Sequence, residues 1–517
     1  MSSFALVSVS DKKNIIPFCK ELVEKFNYKI LSSGGTAKHL IDAKIPVIKI
    51  ADFTNSPEIL GGRVKTLHPK IHGGILAKRA DEEHKKDIEA NDLELIDLVV
   101  VNLYPFKKTI EKGSQWEDAI ENIDIGGPSM IRSAAKNHKD VSVLVDPSQY
   151  KEFIDESKKG ELKDSYRAKL ALEAFQHTSD YDAAISSWIS KERGLQSSKH
   201  IESYPLIKTL RYGENPHQKA SWYGLSNIGW NSAEQLQGKE LSYNNLLDLE
   251  SALSTVLEFG YEVKDKPTTN KFASVILKHN NPCGASLSNS SSQAFLNALK
   301  CDSVSAFGGI VAFNSNVDSE TAIHLKDIFL ECVVAPSFDE EALEILKIKK
   351  NLRILKFSKD KLTKKNQIST KSIMGGLLVQ DTDDSEEKTE SWISVTEKIP
   401  SKKMNLDLNF AWKICKHVKS NAIVIAKDQK TIGIGAGQMN RVGAAKIALQ
   451  EAGELCSEAV LASDGFFPFA DTVELANEFG IKAIIQPGGS LRDQESIEMC
   501  NSKGISMVFT QKRHFLH

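Results

Sequence analysis

Between residues 4 and 145, short β-branched runs (FALVSV, YKILSS, LIDLVVVNLY and VSVLV) alternate with stretches of helical period. Apolar runs without polar alternation suit strands covered on both faces, and strands separated by helices pair in parallel. This part of the chain is therefore expected to be α/β, a doubly wound parallel sheet. Residues 163–194 carry a proline-free helical pattern that stops at Gly194 and a polar run, which sets a boundary and divides the chain into domains 1–197 and 198–517. Beyond it the alternation resumes in FASVILKH, GGIVAFN, NAIVIAK, KAIIQP and ISMVFT, read as two related α/β units with a polar surface connection near 381–403. A Lys-His pair beside a strand in both VILKHN (275–280) and ICKHVKSN (414–421) hints at an internal duplication.

Charge excludes several function classes. The 66 basic and 68 acidic residues leave a net charge of −2, and the basic residues are scattered, so no nucleic-acid partner is expected. No run approaches the roughly 20 apolar residues that span a bilayer, so no membrane partner is expected. MSSFALVSVSDKK has no basic region before its short apolar run, which points to a cytoplasmic protein. Seven widely spaced cysteines without a CxxC pair suit free thiols in a reducing compartment.

The motifs of the first domain converge on anion binding. Ser8, Ser10 and Lys12 stand where the first run ends, and SSGGTAK (32–38) follows the second run and opens a helix. Two strand ends of one sheet thus present hydroxyls, a cation and helix N-terminal amides, the usual means of holding phosphate. Gly34 and Gly35 permit close backbone approach and Thr36 adds a donor; a plain glycine turn is the alternative. GGRVKTLHPKIHGG (61–74) reads as a loop in which Arg63, Lys65, His68, Lys70 and His72 suit an anionic substrate, or as a solvated basic loop. NIDIGGPSMIRSAAKNHKD (122–140) turns from loop into helix with Pro128 at a first helical position, Asp124 ahead of it, and Arg132 and Lys136 on one face. A carboxylate, a lysine and amide donors in one place deprotonate a nucleophile and stabilise an oxyanion; a capped surface helix is the alternative. Tyr104 ends an apolar strand, where it offers a phenol or simply packs.

VSVSDK, SGGTAK, GGRVKTLHPKIHGGIL, VVVNLYPF and NIDIGGPSMIRSAAKNH together resemble the inosine monophosphate (IMP) cyclohydrolase domain, whose fold is similar to methylglyoxal synthase. The resemblance implies that Lys65, Tyr104, Asp124 and Lys136 form a cyclisation site. It also implies that Ser10, Lys12, Ser33, Gly34, Gly35, Thr36, Arg63 and Thr66 hold the nucleotide phosphate and ribose.

In the second domain, LRYGENPHQKA (210–220) gathers Arg211, Tyr212, Asn215, His217 and Gln218 in one turn-like segment. In VILKHNNPCGAS (275–286) an apolar strand runs into Lys278 and His279 and breaks at Asn281-Pro282. A histidine beside a lysine offers a base near a cation, although a structural histidine looks the same. The PCG invites a zinc-deaminase reading, but HxE and PCxxC are not both present, and no metal is expected. GIGAG (433–437) lacks the third glycine of a dinucleotide fingerprint.

RYGENPHQ, LSYNNLLD, LKHNNPCGA, SAFGGIVA, SNAIVIA, GIGAGQMNR, SDGFFPF and the terminal RHFLH resemble the transformylase of aminoimidazole carboxamide ribotide (AICAR), whose two halves share a cytidine-deaminase-like fold without zinc. By that resemblance His279 takes a proton from the substrate amine with Lys278 beside it, Arg211, Tyr212 and Arg513 contact the nucleotide, and Asn421 contacts the transferring formyl group or folate. The chain is thus similar to the bifunctional AICAR transformylase and IMP cyclohydrolase family, typically homodimers. Its expected co-substrate is 10-formyltetrahydrofolate, and its other small-molecule partners are AICAR, formyl-AICAR and IMP. A methylglyoxal-synthase-like lyase and a non-catalytic nucleotide sensor are the competing readings.

Overall fold

The first apolar run becomes the middle strand of a five-stranded parallel sheet in the unit Met1–Ser203. The structure, a computed structural model, describes residues 3–225, 228–262, 271–362, 368–384 and 389–517. In chain order the unit contains β1 (Ser3–Val9), α1 (Ile15–Phe26), β2 (Tyr28–Ser32), α2 (Gly34–Asp42), β3 (Val47–Lys49), α3 (Ile50–Thr54), α4 (Pro69–Leu76), α5 (Glu82–Ala90), β4 (Ile96–Asn102), α6 (Phe106–Glu111), α7 (Trp116–Glu121), α8 (Gly126–Lys136), β5 (Ser142–Leu144), α9 (Gln149–Ser157) and α10 (Asp164–Glu192). The sheet order is β3-β2-β1-β4-β5, all pairs parallel. The chain winds outward from β1 to β3 and returns on the other side at β4, so a crevice opens beyond the ends of β1 and β4. The helix α10 buries Tyr166, Leu170, Ala174, Thr178, Tyr181 and Trp188, one stripe at helical spacing. Trp188 stacks on Trp116 with ring centroids 4.8 Å apart.

One expected loop is half helix. Residues 61–66 are loop and short turn, but Pro69–Leu76 is α4, started by Pro69 at its first position and capped by His68, whose Nδ1 accepts from the Lys70 N–H at 3.2 Å. Ile71 and Ile75, four apart, are buried beneath it and supply the driving force that the glycines and basic residues conceal. Helix α8 starts at Gly126, so Pro128 is its third residue and not its first.

The unit Tyr204–His517 is built on a twelve-stranded sheet. Its elements are β6 (Leu206–Leu210), β7 (Ala220–Tyr223), β8 (Glu234–Gln237), α11 (Tyr243–Leu257), β9 (Phe272–Lys278), β10 (Asn281–Ser288), α12 (Ser291–Leu299), β11 (Gly309–Phe313), α13 (Ser319–Asp327), β12 (Leu330–Ala335), α14 (Glu340–Leu346), β13 (Arg353–Lys356), β14 (Ile368–Ile373), β15 (Gly376–Asp381), β16 (Ile393–Ser394), α15 (Lys402–Cys415), β17 (Ile423–Lys427), β18 (Lys430–Gly435), α16 (Arg441–Ala452), β19 (Val460–Ser463), α17 (Asp471–Glu478), β20 (Ala483–Gln486), α18 (Asp493–Lys503) and β21 (Ser506–Phe509). The sheet order is β16-β21-β20-β19-β17-β18-β10-β9-β11-β12-β13-β8.

That order is one pattern written twice. In each half a helix precedes an antiparallel hairpin, β9–β10 or β17–β18. The first hairpin strand pairs antiparallel with β11 or β19, two parallel strands follow, and a short antiparallel strand, β8 or β16, closes the edge. The halves join at β10–β18, where Ser286 faces Lys430 and the Leu287 N–H donates to Gln429 O at 2.9 Å. Gly284 in β10 and Gly433 in β18 occupy the same place. A Cβ at either would collide with a helix carbonyl, that of Ala298 in α12 or Ala448 in α16. Gly433 and Gly435 of GIGAG thus serve close strand–helix packing.

The dipeptide that hinted at duplication does not mark it. Lys278 ends β9 and His279 opens the hairpin turn, whereas Lys416 and His417 follow α15 and precede β17. The topological counterpart of Lys278–Asn281 is Lys427–Lys430. The break expected at Asn281-Pro282 also falls two residues earlier: both belong to β10, and the turn is His279-Asn280. The expected surface connection 381–403 contains β16, and Val395 N–H donates to Met507 O at 3.0 Å, so part of it continues the sheet; residues 385–388 lie outside the described residues.

Candidate active sites

In the first unit the ends of β1, β2 and β4 and the start of α8 lie at one edge of the sheet. Asn102, the last residue of β4, accepts the Ser10 and Asp11 N–H groups at Oδ1, at 2.7 and 2.8 Å, and fixes the loop that carries Lys12 across the crevice. Ser33 is the extended residue before α2; its Oγ is buried and has no partner among the described residues. The hydroxyl of Thr36 is used within the fold, accepting from Val9 N–H at 3.1 Å and donating to Val9 O at 3.0 Å. Gly34 has φ 51°, and a Cβ there would lie 3.7 Å from Lys65 Nζ, so the Lys65 ammonium stands over the first turn of α2.

Asp124 closes the other wall. Its Oδ1 accepts the Gly127 N–H at 2.8 Å, and its own N–H donates to the Tyr181 hydroxyl at 2.8 Å. Burial raises its pKa above the ordinary carboxylate value, partly offset by the Gly127 hydrogen bond and by the charge of Lys65. Thr66 is buried with its hydroxyl against Gly126, and Gly35 faces open space. Two helix N-termini and a lysine thus face one crevice beside a carboxyl group whose pKa burial raises, an arrangement that holds an anion and exchanges a proton. Tyr104 follows β4 with half its surface exposed at the same edge.

Two expected members stand apart. Arg63 is exposed and forks onto Glu121 of α7. Lys136 is the last residue of α8, ten residues or about 15 Å of helical rise from Gly126. There the neighbouring Asn137 donates to Ile75 O and Ala77 O at 2.8 and 3.0 Å, beyond the opposite edge of the sheet. A helix between two parallel strands runs against them, so its two ends cannot share one sheet edge. Within one chain, Lys136 is not beside Asp124.

In the second unit a cleft of about 860 Å³ gathers Arg211, Tyr212, Asp248, Lys278 and His279. His279 and Asn280 form the two-residue turn of the β9–β10 hairpin, both left-handed at φ 53° and 61°. Lys278 Nζ donates to Phe307 O at 3.0 Å and Gly308 O at 3.1 Å, which holds the ammonium beside the turn. Arg211 donates to the Tyr212 hydroxyl at 2.9 Å and lies over its ring.

Asn421 belongs to a neighbouring network. Its Oδ1 accepts from Arg441 at 2.7 Å and its Nδ2 donates to Gln438 O at 2.7 Å. Arg441 also pairs with the buried Asp464, which receives the Ser420 hydroxyl. Lys419 N–H donates to Asn281 Oδ1 at 3.0 Å, tying this loop to the residue after the His279 turn. The C-terminal tail lies along it: Ser420 N–H donates to Leu516 O at 2.9 Å, and Arg513 is exposed over the Phe515 ring. The sequence reading assigned nothing to Asn102, Asp248, Arg441 or Asp464. All four stand in motifs that carry the resemblance, VVVNLYPF, LSYNNLLD, GIGAGQMNR and SDGFFPF, but no chemistry of their own singled them out. Among the described residues, no group of three or more His, Cys, Asp or Glu side chains is placed to hold a metal.

Comparison with known proteins identifies the family of the chain. The model of the AICARFT/IMPCHase bienzyme family matches residues 134–451, and that of the MGS-like domain matches residues 14–129. Proteins called "Bifunctional purine biosynthesis protein PurH" from Prochlorococcus marinus are similar over all of both chains, at 89% identity for strain MIT 9312 and 88% for strain MIT 9301. Strain NATL1A has one at 56% identity. A solved structure described as "Crystal structure of ForH" aligns with 36% of this chain and 97% of its own at 34% identity, with a TM-score of 0.32.

Proposed function

The chain belongs to the AICARFT/IMPCHase bienzyme family and is a bifunctional enzyme of the last two steps of IMP synthesis, and on that premise we propose how its two sites divide the work. Residues 198–517 form the transformylase domain, whose halves are each read as cytidine-deaminase-like units, and residues 1–197 form the cyclohydrolase domain. The single observation that carries the assignment is the cleft in which Lys278, His279, Arg211 and Tyr212 meet.

There the AICAR amine attacks the formyl carbon of 10-formyltetrahydrofolate. His279 takes the amine proton as the new C–N bond forms, and Lys278 stabilises the oxyanion. The intermediate collapses with cleavage of the bond to folate N10, which receives the proton back from His279. Arg211, Tyr212 and Arg513 hold the nucleotide, and Asn421 orients the formyl group. These steps are written without a metal.

In the first domain the carboxamide nitrogen of formyl-AICAR attacks the formyl carbon and the formyl oxygen leaves as water. Asp124 relays the proton, and Lys65, Thr66 and Tyr104 face the reacting ring. Ser10, Lys12, Ser33, Gly34, Gly35, Thr36 and Arg63 form the phosphate and ribose side, Thr36 through its backbone and Arg63 after leaving Glu121. Lys136 stays outside this constellation within one chain.

We also place a second copy of the chain as partner. The β14–β15 hairpin pairs with no other strand among the described residues and exposes Ile373, Met374, Leu377, Leu378 and Val379, and an isolated two-stranded hairpin is marginal in water. Sedimentation would show a dimer; a monomer at micromolar concentration would remove it. No described helix is long and apolar enough to cross a membrane, and a cytoplasmic location is the setting proposed. Incubation with AICAR and 10-formyltetrahydrofolate tests the whole assignment: tetrahydrofolate and IMP are both expected, and neither product from folded protein would sink it.

A further inference from the structure

The duplication allows the two hairpin turns of the second unit to be compared. In the second half the turn is Asp428-Gln429, left-handed at φ 54° and 56°, and Asp407 holds it. Asp407 is the sixth residue of α15; its Oδ2 accepts the Asp428 N–H at 3.1 Å and its Oδ1 the Gln429 N–H at 2.7 Å. In the first half the turn is His279-Asn280, and Asp248 is likewise the sixth residue of the preceding helix, α11. Its Oδ1 accepts the Asn280 N–H at 2.7 Å, the same bond in the same place. Its Oδ2, however, makes no hydrogen bond to the described residues. One oxygen does the structural work of the pair, and the other is left in a cleft that also contains Lys278 and His279.

The other charges around that cleft are committed elsewhere. Lys208 pairs with Glu240 and Arg353 with Glu331, each at 2.7 Å, Lys278 donates to two carbonyls, and Arg211 lies on Tyr212. Lys239 is the remaining cation of the lining. Burial raises the Asp248 pKa, while the Asn280 hydrogen bond and the charges of His279 and Lys278 lower it. Asp407, facing Asp428 and Lys403 instead of a histidine, is also raised by burial.

We propose that Asp248 is the positioning residue of formyl transfer: Oδ1 fixes the His279-Asn280 turn, and Oδ2 stabilises the imidazolium that forms when His279 takes the amine proton. This rests on His279 being the base. The carboxylate receives no proton; it lowers the energy of the state in which His279 holds one, between formation of the new C–N bond and release of that proton to folate N10.

The test compares Asp248→Asn with Asp407→Asn in the full-length protein, using pH profiles of formyl transfer and, as a check on folding, cyclisation of supplied formyl-AICAR. Asparagine keeps the acceptor for the turn and removes the charge. D248N is expected to lower kcat by about tenfold or more. It should also move the acid limb of the profile to lower pH, with KM for AICAR little changed; D407N leaves the limb in place. An acid limb of D248N superimposed on that of the wild type, or an equal displacement in D407N, would overturn the proposal by reducing Asp248 to a staple. Absence of formyl transfer by the wild-type chain would instead overturn the reading of His279 beneath it.

Discussion

Gly308→Ala separates the placement of Lys278 from the stability of the unit around it. Gly308 has φ 70°, a conformation that costs an L-residue roughly 1–2 kcal/mol. A Cβ there would stand 3.0 Å from Lys278 Nζ and 3.3 Å from the Phe329 ring. The ammonium is the more mobile neighbour, so it yields and lengthens its bonds to Phe307 O and Gly308 O. The contact asks the ammonium to give by a few tenths of an ångström, and weakening the two hydrogen bonds that place it is expected to cost about tenfold in rate, or about 1.4 kcal/mol at the transition state. Gly504→Ala supplies the matched control: φ is 65°, and nothing lies within 4 Å of its would-be Cβ. Both variants should lose the same roughly 1–2 kcal/mol of stability, a few degrees in Tm. Only G308A should slow formyl transfer, and both should cyclise formyl-AICAR at the wild-type rate. Formyl transfer within twofold of wild type in G308A, at a Tm equal to that of G504A, would refute the role given to the Lys278 contacts.

Asp124→Asn should abolish cyclisation and leave formyl transfer running, so that formyl-AICAR accumulates. Because burial raises the Asp124 pKa, the folded chain binds a proton more tightly than the unfolded one, and stability falls as pH rises from the unfolded pKa through the folded one. D124N removes that loss, and thermal melts of the first unit at neutral pH should show a higher Tm despite lost activity. Gly284→Ala drives a Cβ into the Ala298 carbonyl and should cost about 3 kcal/mol in urea titration. Arg441→Ala leaves the fully buried Asp464 without its cation and should cost about 3–5 kcal/mol in the same assay.

Strands declared themselves because parallel or doubly covered strands are apolar without interruption: Val99, Val100 and Val101 in β4 and Val424, Ile425 and Ala426 in β17 are all buried. Helix α4 did not, since its glycines and basic residues mask the two isoleucines that bury it. The spacing of Arg132 and Lys136 correctly shares a helical face, but periodicity says nothing about which end of a helix meets the crevice. Only the direction of α8 against β4 separates Lys136 from Asp124. The His279 turn was misplaced because Pro282 looks like a strand breaker, whereas it sits beside a register shift in β10, where a strand tolerates proline. Asp248 stands in LSYNNLLD with nothing local to mark its role; its meaning depends on the Asn280 N–H, 32 residues later in the chain.

The β10–β18 junction bears on how such a protein arises. Two identical units set edge to edge about a twofold axis would make an antiparallel seam of this kind. Joining the units in one chain makes such a self-association permanent and independent of concentration. It also removes the symmetry that binds a homodimer, in which every change to one turn is a change to both. Once fused, one copy can keep a histidine at its turn while the other carries aspartate there, so a single gene can give the two copies of one turn different duties.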